Sequence, residues 1–252
     1  MSDQSPQSDS ADFDGAPCGA IFDLDGTLVD TADDLAAAMN HVLACHDIAP
    51  LPTGTVRHLV GFGARAMLRA GFEAATGTQP DDEALSEMGV QFVDFYADNL
   101  AVQSKPYPGV VPLLGALRSA GVRLAVCTNK KETLAVPLLK ALALDGYFDR
   151  IVGGDTAGCA KPDPAPVQLC LEAMEIAPGK APSRVLFVGD SDTDIRAAHA
   201  CQIPVALCAY GYGPVTLKDE AQALWPAMPG DVADFLAPLH RQDVNVDTKR
   251  TD

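Results

Sequence analysis

After residue 108 the sequence alternates between short apolar runs and stretches in which apolar residues recur with the 3.6-residue period of a helix. The apolar runs are short enough for buried strands and lie at residues 123–127, 150–152, 184–188 and 204–208. The helical stretches lie at residues 110–120, 131–143, 164–175 and 192–201. Strands that alternate with helices form a parallel sheet covered on both faces. The sequence therefore predicts a doubly wound α/β core.

One further apolar run, residues 19–23, is separated from the others by three successive helical patterns without a strand. The first follows this run closely, the second covers roughly residues 54–77, and the third covers about residues 82–100. The simplest arrangement places run 19–23 in the same sheet. The helical block would then form a cap inserted into the core after its first strand.

The chain accordingly divides into a core, an inserted cap and two tails that lack apolar periodicity. The expected segments are a disordered tail at 1–16, core at 17–30 and 103–240, a helical cap at 31–102, and a disordered tail at 241–252.

The chain carries 18 Lys and Arg against 34 Asp and Glu, a formal net charge of −16. Nucleic acids and anionic membrane surfaces need basic partners, so we expect the chain to bind neither. No apolar run approaches the roughly 18 residues that would span a bilayer, and the N-terminal residues lack the pattern of a secretory signal. We therefore expect a cytoplasmic protein, whose oligomeric state the sequence does not indicate. Seven scattered Cys without a CxxC pair predict free thiols.

Ligands of doubly wound sheets bind beyond the carboxyl ends of the strands. Polar segments of this sequence fall at four such ends, namely residues 23–27, residues 128–129, the segment around Lys161, and residues 189–194. Because parallel strands all run the same way, these segments should meet at one edge of the sheet. The sequence therefore predicts a site assembled from four distant parts of the chain.

The first of these segments holds two carboxylates, Asp23 and Asp25, two residues apart at a strand end. Residues at that spacing share a face of a strand, so both side chains can point into one pocket. Gly26 allows the backbone to approach a ligand closely. The alternative is that these residues only close the strand in an Asx-turn.

The fourth segment holds three carboxylates within five residues, Asp190, Asp192 and Asp194. Helix capping would need only one of them, and their mutual repulsion calls for a compensating charge. A hard divalent cation such as Mg²⁺ takes oxygen ligands of this kind. Lys161 could neutralise carboxylate and phosphate, the alternative being a solvated surface lysine. The Thr128 hydroxyl could bind an anionic oxygen, the alternative being a turn or cap residue.

The four segments together resemble the motif set of the haloacid dehalogenase-like phosphohydrolases, over about residues 18–238. That set is DxDGT, a Ser or Thr after a strand, a Lys, and GDxxxD. Further matches resemble the phosphoglycolate phosphatases within the family. They are Val60 to Gly63, Thr128-Asn129-Lys130, Val136 to Leu139, Gly153-Gly154-Asp155, Lys161 to Pro164, and Tyr210 to Gly213.

The resemblance implies a phosphatase that works through an aspartyl-phosphate. It implies Asp23 as the nucleophile and Asp25 as the general acid and base. Thr128, with backbone N–H groups near Gly26 and Asn129, would hold the phosphoryl oxygens.

The resemblance also implies a bound Mg²⁺ and a charge-screening role for Lys161. The metal would be held by Asp23, by the backbone carbonyl of Asp25 and by Asp190. Asp194 is expected to support this site, and Asp192 is expected to be solvated.

The expected substrate is a small phosphorylated metabolite, and 2-phosphoglycolate is the favoured candidate. A cap arginine, with Arg65 as our candidate, could bind its carboxylate. A phosphatase or phosphomutase that acts on a sugar phosphate is an alternative. A phosphoacceptor signalling module is an alternative of a different class, but such modules are about half this length and have no inserted cap.

Overall fold

The computed structural model describes residues 19–176, 184–212 and 215–240. The strands are β1 (Gly19–Phe22), β2 (Val29–Asp30), β3 (Lys105–Pro106), β4 (Arg123–Cys127), β5 (Arg150–Val152), β6 (Val185–Gly189), β7 (Val205–Cys208) and β8 (Ala223–Trp225). The helices are α1 (Ala32–Cys45), α2 (Thr53–Arg57), α3 (Ala64–Thr76), α4 (Asp82–Asp98), α5 (Val110–Ser119), α6 (Glu132–Ala141), α7 (Ala165–Ala173), α8 (Asp192–Ala200) and α9 (Val232–His240). Both predicted tails lie outside the described residues.

The described part of the chain forms a six-stranded sheet in the order β5-β4-β1-β6-β7-β8. Each neighbouring pair in it is parallel, and central β1 places Phe22 opposite Val126 on one side and Val188 on the other. The doubly wound α/β prediction is confirmed. Because the strands run the same way, their carboxyl ends lie along one edge of the sheet.

Apolar side chains fill both faces of this sheet because successive strand residues point to opposite sides. Phe22 packs on one face with α5, α6 and α9, through residues such as Leu138 and Phe235. Ile21, the preceding residue, packs on the other face with α7 and α8, through Val167 and Ile195. The strands are therefore fixed between two apolar layers, which makes the carboxyl edge a rigid platform.

Four helices, α1 to α4, occupy the continuously described stretch between β2 and β3. They enclose their own apolar core, which includes Met39, Phe92 and Tyr96 and also contacts Leu134 of α6. The inserted helical cap is confirmed, whereas its bounds at residues 31–102 stay a prediction. At its base, β2 and β3 pair as a short antiparallel ribbon that the sequence pattern did not predict.

The helix predicted over residues 54–77 is wrong as a single element. The chain leaves helix after Arg57 and re-enters it at Ala64. Gly61 and Gly63 have φ values of 115° and 85°, in the region that side-chain-bearing residues avoid. The intervening loop therefore turns out of the helix axis and carries Phe62 towards the sheet edge, where it borders the cavity described below.

Two elements near the C-terminus, β8 and α9, extend the core beyond the predicted strands and helices. Phe235 of α9 contacts Phe22 and Trp225 on the same face of the sheet, with ring centroids 5.7 Å and 5.4 Å away. The other predicted helices and strands have bounds within one or two residues of expectation. Cysteines of the described residues are free thiols. No helix in the ranges that the structure covers is long and apolar enough to cross a membrane.

Candidate active site

The four polar segments meet at the carboxyl edge of the sheet. Lys161 Nζ lies 3.0 Å from Asp23 Oδ1 and 2.6 Å from Asp194 Oδ1. One carboxylate oxygen from each of Asp23, Asp190 and Asp194 lies within 4.8 Å of the others. Residues far apart in the chain thus form one charged cluster, because β5, β4, β1 and β6 are successive parallel strands of the sheet.

Asp23 directly follows β1 at the centre of this cluster and is buried. Its Oδ1 accepts a hydrogen bond from the Leu24 N–H at 2.7 Å. Burial raises the pKa of Asp23 to about 7, with Lys161 opposing the rise and the neighbouring acids Asp194 and Asp25 adding to it. The carboxylate is therefore costly to ionise here without a further positive charge.

Asp190 directly follows β6 and is also buried. The Thr27 hydroxyl donates to its Oδ1 at 3.1 Å, and the Tyr212 N–H donates to its Oδ2 at 2.9 Å. Burial raises the pKa of Asp190 well above its ordinary value, and Asp23 and Asp194 raise it further. The carboxylate is thus held in a fixed orientation, and no ion pair to it is found among the residues that the structure describes.

Gly26 makes room for this carboxylate. Its φ is 85°, and a Cβ atom there would lie 2.3 Å from Asp190 Oδ2. Its N–H donates to the Val29 carbonyl at 3.0 Å, within the turn. The N–H of Gly26 is therefore engaged within the turn, and the lack of a side chain at Gly26 leaves space for Asp190. That backbone N–H groups near Gly26 hold the phosphoryl oxygens stays a prediction.

Asp194 lies in the first turn of α8 and is fully buried. Its Oδ2 accepts hydrogen bonds from the N–H groups of Asp190 and Ser191 and from the Ser191 hydroxyl, which completes a capping box. Its Oδ1 binds Lys161. Asp194 therefore positions its neighbours, as a supporting residue would.

Asp192 has partners that the sequence did not predict. Its carboxylate accepts hydrogen bonds from the N–H groups of Thr216 and Leu217, at 2.9 and 3.1 Å, and from the Thr216 hydroxyl. It points away from the cluster and anchors the segment that begins at residue 215. Asp192 is thus partly exposed, and it also holds Thr216 and Leu217 through hydrogen bonds that the sequence did not predict.

Lys161 is buried, so it is not a solvated surface lysine. Nζ donates to the Cys127 carbonyl as well as to Asp194, both at 2.6 Å. Burial alone would lower the pKa of Lys161, but Asp194 and Asp23 raise it above its ordinary value. The ammonium therefore stays charged within the acidic cluster.

The carboxylates fit a divalent cation. Their donor atoms are oxygens only, which is the ligand type that Mg²⁺ prefers. The raised pKa values of Asp23 and Asp190 show that one lysine leaves these buried acids short of positive charge. A small hard cation beside them would supply that charge.

Thr128 and Asn129 follow β4 at the same edge. Thr128 Oγ1 accepts the Lys130 N–H at 3.1 Å, so its own proton can be donated elsewhere. Asn129 Nδ2 donates to the carbonyls of Gly61 and Lys161, both at 3.1 Å, and so joins the cap loop to the core. Asn129 Oδ1 is buried and has no partner in the part of the chain that the structure describes.

Lys130 is a site residue that the sequence interpretation did not assign a role. Its Nζ lies 2.8 and 3.0 Å from the two carboxylate oxygens of Asp25, and the Thr31 hydroxyl donates to Asp25 at 2.7 Å. Burial opposes the charge on Lys130, but Asp25 and Tyr96 raise its pKa above the ordinary value. Its position two residues after Thr128, a predicted site residue, is the sequence signal that could have identified it.

A cavity of about 270 Å³ opens between the cluster and the cap helices. Asp23, Asp25 and Thr128 line its floor. Its walls are mainly apolar and include Leu35, Val60, Phe62, Met67, Phe92, Val93, Tyr96 and Leu134. The cavity is therefore large enough for a small ester whose reacting group faces the acids.

Arg65, the predicted carboxylate ligand, also lines this cavity. Its side chain is 55% exposed and forms an ion pair with Asp82 at 2.7 Å. The structure thus places Arg65 at the cavity wall, bound to an acid of the cap. It does not bring Arg65 into contact with the buried cluster.

Comparison with known proteins assigns the class. Residues 20–208 match the sequence profile of the haloacid dehalogenase-like hydrolase family. A phosphoglycolate phosphatase of Caulobacter vibrioides is 43% identical over 201 residues, covering 80% of this chain and 82% of the relative. Another, of Agrobacterium fabrum, is 42% identical and covers 83% of this chain and 91% of the relative.

A solved structure agrees with these sequence matches. It is the crystal structure of a predicted phosphoglycolate phosphatase from Haemophilus somnus, which is 30% identical, has a TM-score of 0.76, and covers 84% of this chain and 94% of that chain. The chain therefore belongs to the haloacid dehalogenase-like hydrolases. The resemblance drawn from its motifs is confirmed, and the enzyme is a phosphoric monoester hydrolase.

Proposed function

We propose that the enzyme hydrolyses 2-phosphoglycolate to glycolate and phosphate, using Mg²⁺ and an aspartyl-phosphate intermediate. The observation that carries the proposal is the buried Asp23–Lys161 pair, 3.0 Å apart beside two further carboxylates. The relatives named phosphoglycolate phosphatase support the choice of substrate.

Asp23 would act as the nucleophile. Its carboxylate forms a bond to phosphorus, while the bond between phosphorus and the glycolate oxygen breaks and leaves its electron pair on that oxygen. A phosphate dianion repels a carboxylate, and the Lys161 ammonium at 3.0 Å would reduce that repulsion. Burial of the pair strengthens this effect because little water is present to screen it.

Asp25 would act as the general acid and then as the general base. It gives a proton to the departing glycolate oxygen and later takes one from the water that cleaves the phosphoenzyme. Thr31 and Lys130 hold its carboxylate at the cavity floor. Both half-reactions need the Asp25 carboxylate in the same position, and the contacts with Thr31 and Lys130 would keep it there.

Thr128 and Asn129 would hold the phosphoryl group. The Thr128 hydroxyl can donate to a phosphoryl oxygen because it accepts, rather than donates, its hydrogen bond with Lys130. Asn129 fixes the loop of Gly61 over the same region through its side-chain amide. Together they would orient the phosphorus towards Asp23.

The side chains of Asp23 and Asp190 and the backbone carbonyl of Asp25 would hold the Mg²⁺, with Asp194 as a supporting group. The bound ion supplies positive charge that stabilises the transferring phosphoryl group. Thr27 and the Tyr212 N–H keep Asp190 oriented for this role. The neighbouring ion pair of Lys161 and Asp194 would contribute one positive and one negative charge beside the metal site.

Phosphate release from a panel of esters with added Mg²⁺ tests the proposal. We expect kcat/KM for 2-phosphoglycolate to exceed that for glucose 6-phosphate and glucose 1-phosphate by at least about 10-fold, since a pocket fitted to a small acid rejects larger polyols. A sugar phosphate that ranks well above 2-phosphoglycolate would overturn the substrate assignment. Activity that persists in EDTA would overturn the Mg²⁺ requirement.

A further inference from the structure

We propose that the Lys130 ammonium and the Tyr96 hydroxyl bind the carboxylate of the leaving group, and so select esters with an acid one carbon from the ester oxygen. The inference rests on the proposed function, because it assigns the part of the same cavity that recognises glycolate. Lys130 belongs to the core and Tyr96 to cap helix α4, so the substrate would be held between the two.

The Tyr96 hydroxyl lies near the Lys130 ammonium, but it forms no hydrogen bond of normal length and angle among the residues described. The side chain is fully buried, and its Oη has no hydrogen-bond partner within the residues described. Buried hydroxyl groups in folded proteins nearly always have a partner, so an unpaired one needs an explanation. Tyr96 also lines the cavity, and a bound ligand would supply that partner.

Lys130 places a positive charge beside this hydroxyl. Its Nζ lies 4.7 Å from the centre of the Tyr96 ring, and its side chain is only 5% exposed. The two hydrogen bonds found for Nζ among the described residues both go to Asp25. An ammonium has three N–H donors, so one remains for a ligand.

The distance from Asp25 fits a carboxylate at this place. Asp25 must reach the ester oxygen to protonate it, and in 2-phosphoglycolate the carboxylate carbon lies two bonds from that oxygen. A cation 2.8–3.0 Å from the Asp25 oxygens is therefore within reach of the substrate carboxylate. Apolar side chains such as Phe92 and Leu134 form much of the remaining wall and cannot bind sugar hydroxyls.

The cap arginines fit this role less well. Arg65 and Arg69 both pair with exposed Asp82. Arg57 binds Asp30 and the Tyr107 hydroxyl at the base of the cap. Each is more exposed than Lys130, and a buried cation binds a carboxylate more strongly because water competes less.

The test compares 2-phosphoglycolate with ethyl phosphate, which has the same chain length but a methyl group in place of the carboxylate. The measured quantity is the ratio of kcat/KM for the two esters with saturating Mg²⁺. In Lys130→Met we expect this ratio to fall by about 100-fold, and in Tyr96→Phe by about 10-fold, because a contact between two charged groups is stronger than one in which only the carboxylate is charged. In Tyr96→Phe the change should appear mainly in KM.

Lys140→Met is the matched control, since it removes the same charge from an exposed residue of α6 that does not line the cavity. Its ratio should stay within about 3-fold of the wild-type value because a screened surface charge contributes little. An equal fall in Lys140→Met would overturn the proposal in favour of a general charge effect. An equal loss for both esters in Lys130→Met would also overturn it, since Lys130 would then only position Asp25.

Tyr96→Phe keeps the proposal testable if Lys130→Met fails to fold. It removes a hydroxyl without a partner, so the free enzyme should be as stable as the wild type or more so. An unchanged ratio in this variant would overturn the role of Tyr96. If the wild type itself shows no preference for 2-phosphoglycolate over ethyl phosphate, the proposed substrate fails. A wild-type preference that survives both variants contradicts the inference alone.

Discussion

Tyr212 joins the acidic cluster to the base of the cap. Its N–H donates to Asp190 Oδ2 at 2.9 Å, and its hydroxyl accepts the Thr31 N–H and lies 3.1 Å from Asp30 Oδ1. The Arg57 guanidinium lies 4.7 Å from the centre of its ring. One residue therefore contacts both a carboxylate of the proposed metal site and the segment where the chain enters the cap.

Tyr212→Phe should separate these two contacts. The backbone N–H to Asp190 is retained, whereas the buried hydrogen bonds of the hydroxyl are lost. We expect the free energy of unfolding to fall by about 1–3 kcal/mol, because Thr31 N–H is left without its partner. Urea denaturation measures this loss, and Mg²⁺ affinity should remain close to the wild-type value. Unchanged stability would contradict a structural role for the hydroxyl.

Asp23→Asn should abolish turnover and leave the fold intact. The amide cannot act as the nucleophile, so kcat should drop by at least about 10⁴-fold. The substitution also removes a buried carboxyl whose pKa is raised to about 7 by burial. Metal-free Asp23→Asn should therefore be at least as stable as the wild type at alkaline pH. Circular dichroism checks that the fold is intact, and phosphate release measures turnover. Near-normal activity would refute the assignment of Asp23 as the nucleophile.

Asp25→Asn should show a dependence on the leaving group. A poor leaving group such as glycolate needs the proton that Asp25 supplies, whereas nitrophenolate departs without it. We expect phosphoenzyme formation from 2-phosphoglycolate to slow by roughly 10²–10⁴-fold and that from p-nitrophenyl phosphate to slow much less. Rapid-quench measurement of the first turnover distinguishes them. Equal slowing with both esters would exclude the general-acid role.

Stability of the metal-free enzyme should decrease as pH rises. Burial raises the pKa of Asp23 to about 7 from its ordinary value of 3.8, and it also raises the pKa of Asp190. Between these values the folded state binds more protons than the unfolded state, so the free energy of unfolding falls with pH until the folded pKa is passed. Urea denaturation in EDTA from about pH 5 to about pH 8 measures this slope.

Two comparisons test the origin of that slope. Asp23→Asn lacks one of the groups involved, so its stability should vary less with pH. Saturating Mg²⁺ should reduce the fall in the wild type, because the cation stabilises the ionised carboxylates, and Mg²⁺ affinity should rise over the same pH range. A wild-type slope that matches that of Asp23→Asn would show that other groups dominate.

Gly26→Ala should weaken metal binding and destabilise the enzyme. The added Cβ would lie 2.3 Å from Asp190 Oδ2, so the carboxylate must move. Gly77→Ala is the matched control, since Gly77 also has a positive φ, 74°, but a Cβ there meets nothing within 4 Å. Both should lose about 1 kcal/mol from backbone strain. Only Gly26→Ala should lower Mg²⁺ affinity, as titration calorimetry would reveal.

Much of the core could be predicted from the sequence because its strands and helices are indicated by patterns within short stretches of the chain. Apolar runs such as residues 123–127 identify strands by composition and length, and their alternation with helices implies a parallel sheet. Strand polarity then places Asp23, Lys161 and Asp190 at one edge without any knowledge of packing. The glycines of the loop at 58–63 were also present in the sequence, but helical periodicity on both sides concealed the break.

Tertiary structure alone decided which side chains meet. Lys130 and Asp25 are 105 residues apart, and their contact depends on how β4 lies beside β1. Tyr96 reaches Lys130 only because the cap helices fold back over the sheet edge. Arg65 was the candidate that the sequence offered for a substrate carboxylate, but it pairs with Asp82, an exposed acid of the cap. The sequence thus determined the sheet and its charged edge, whereas the partners of long side chains depended on packing between distant elements.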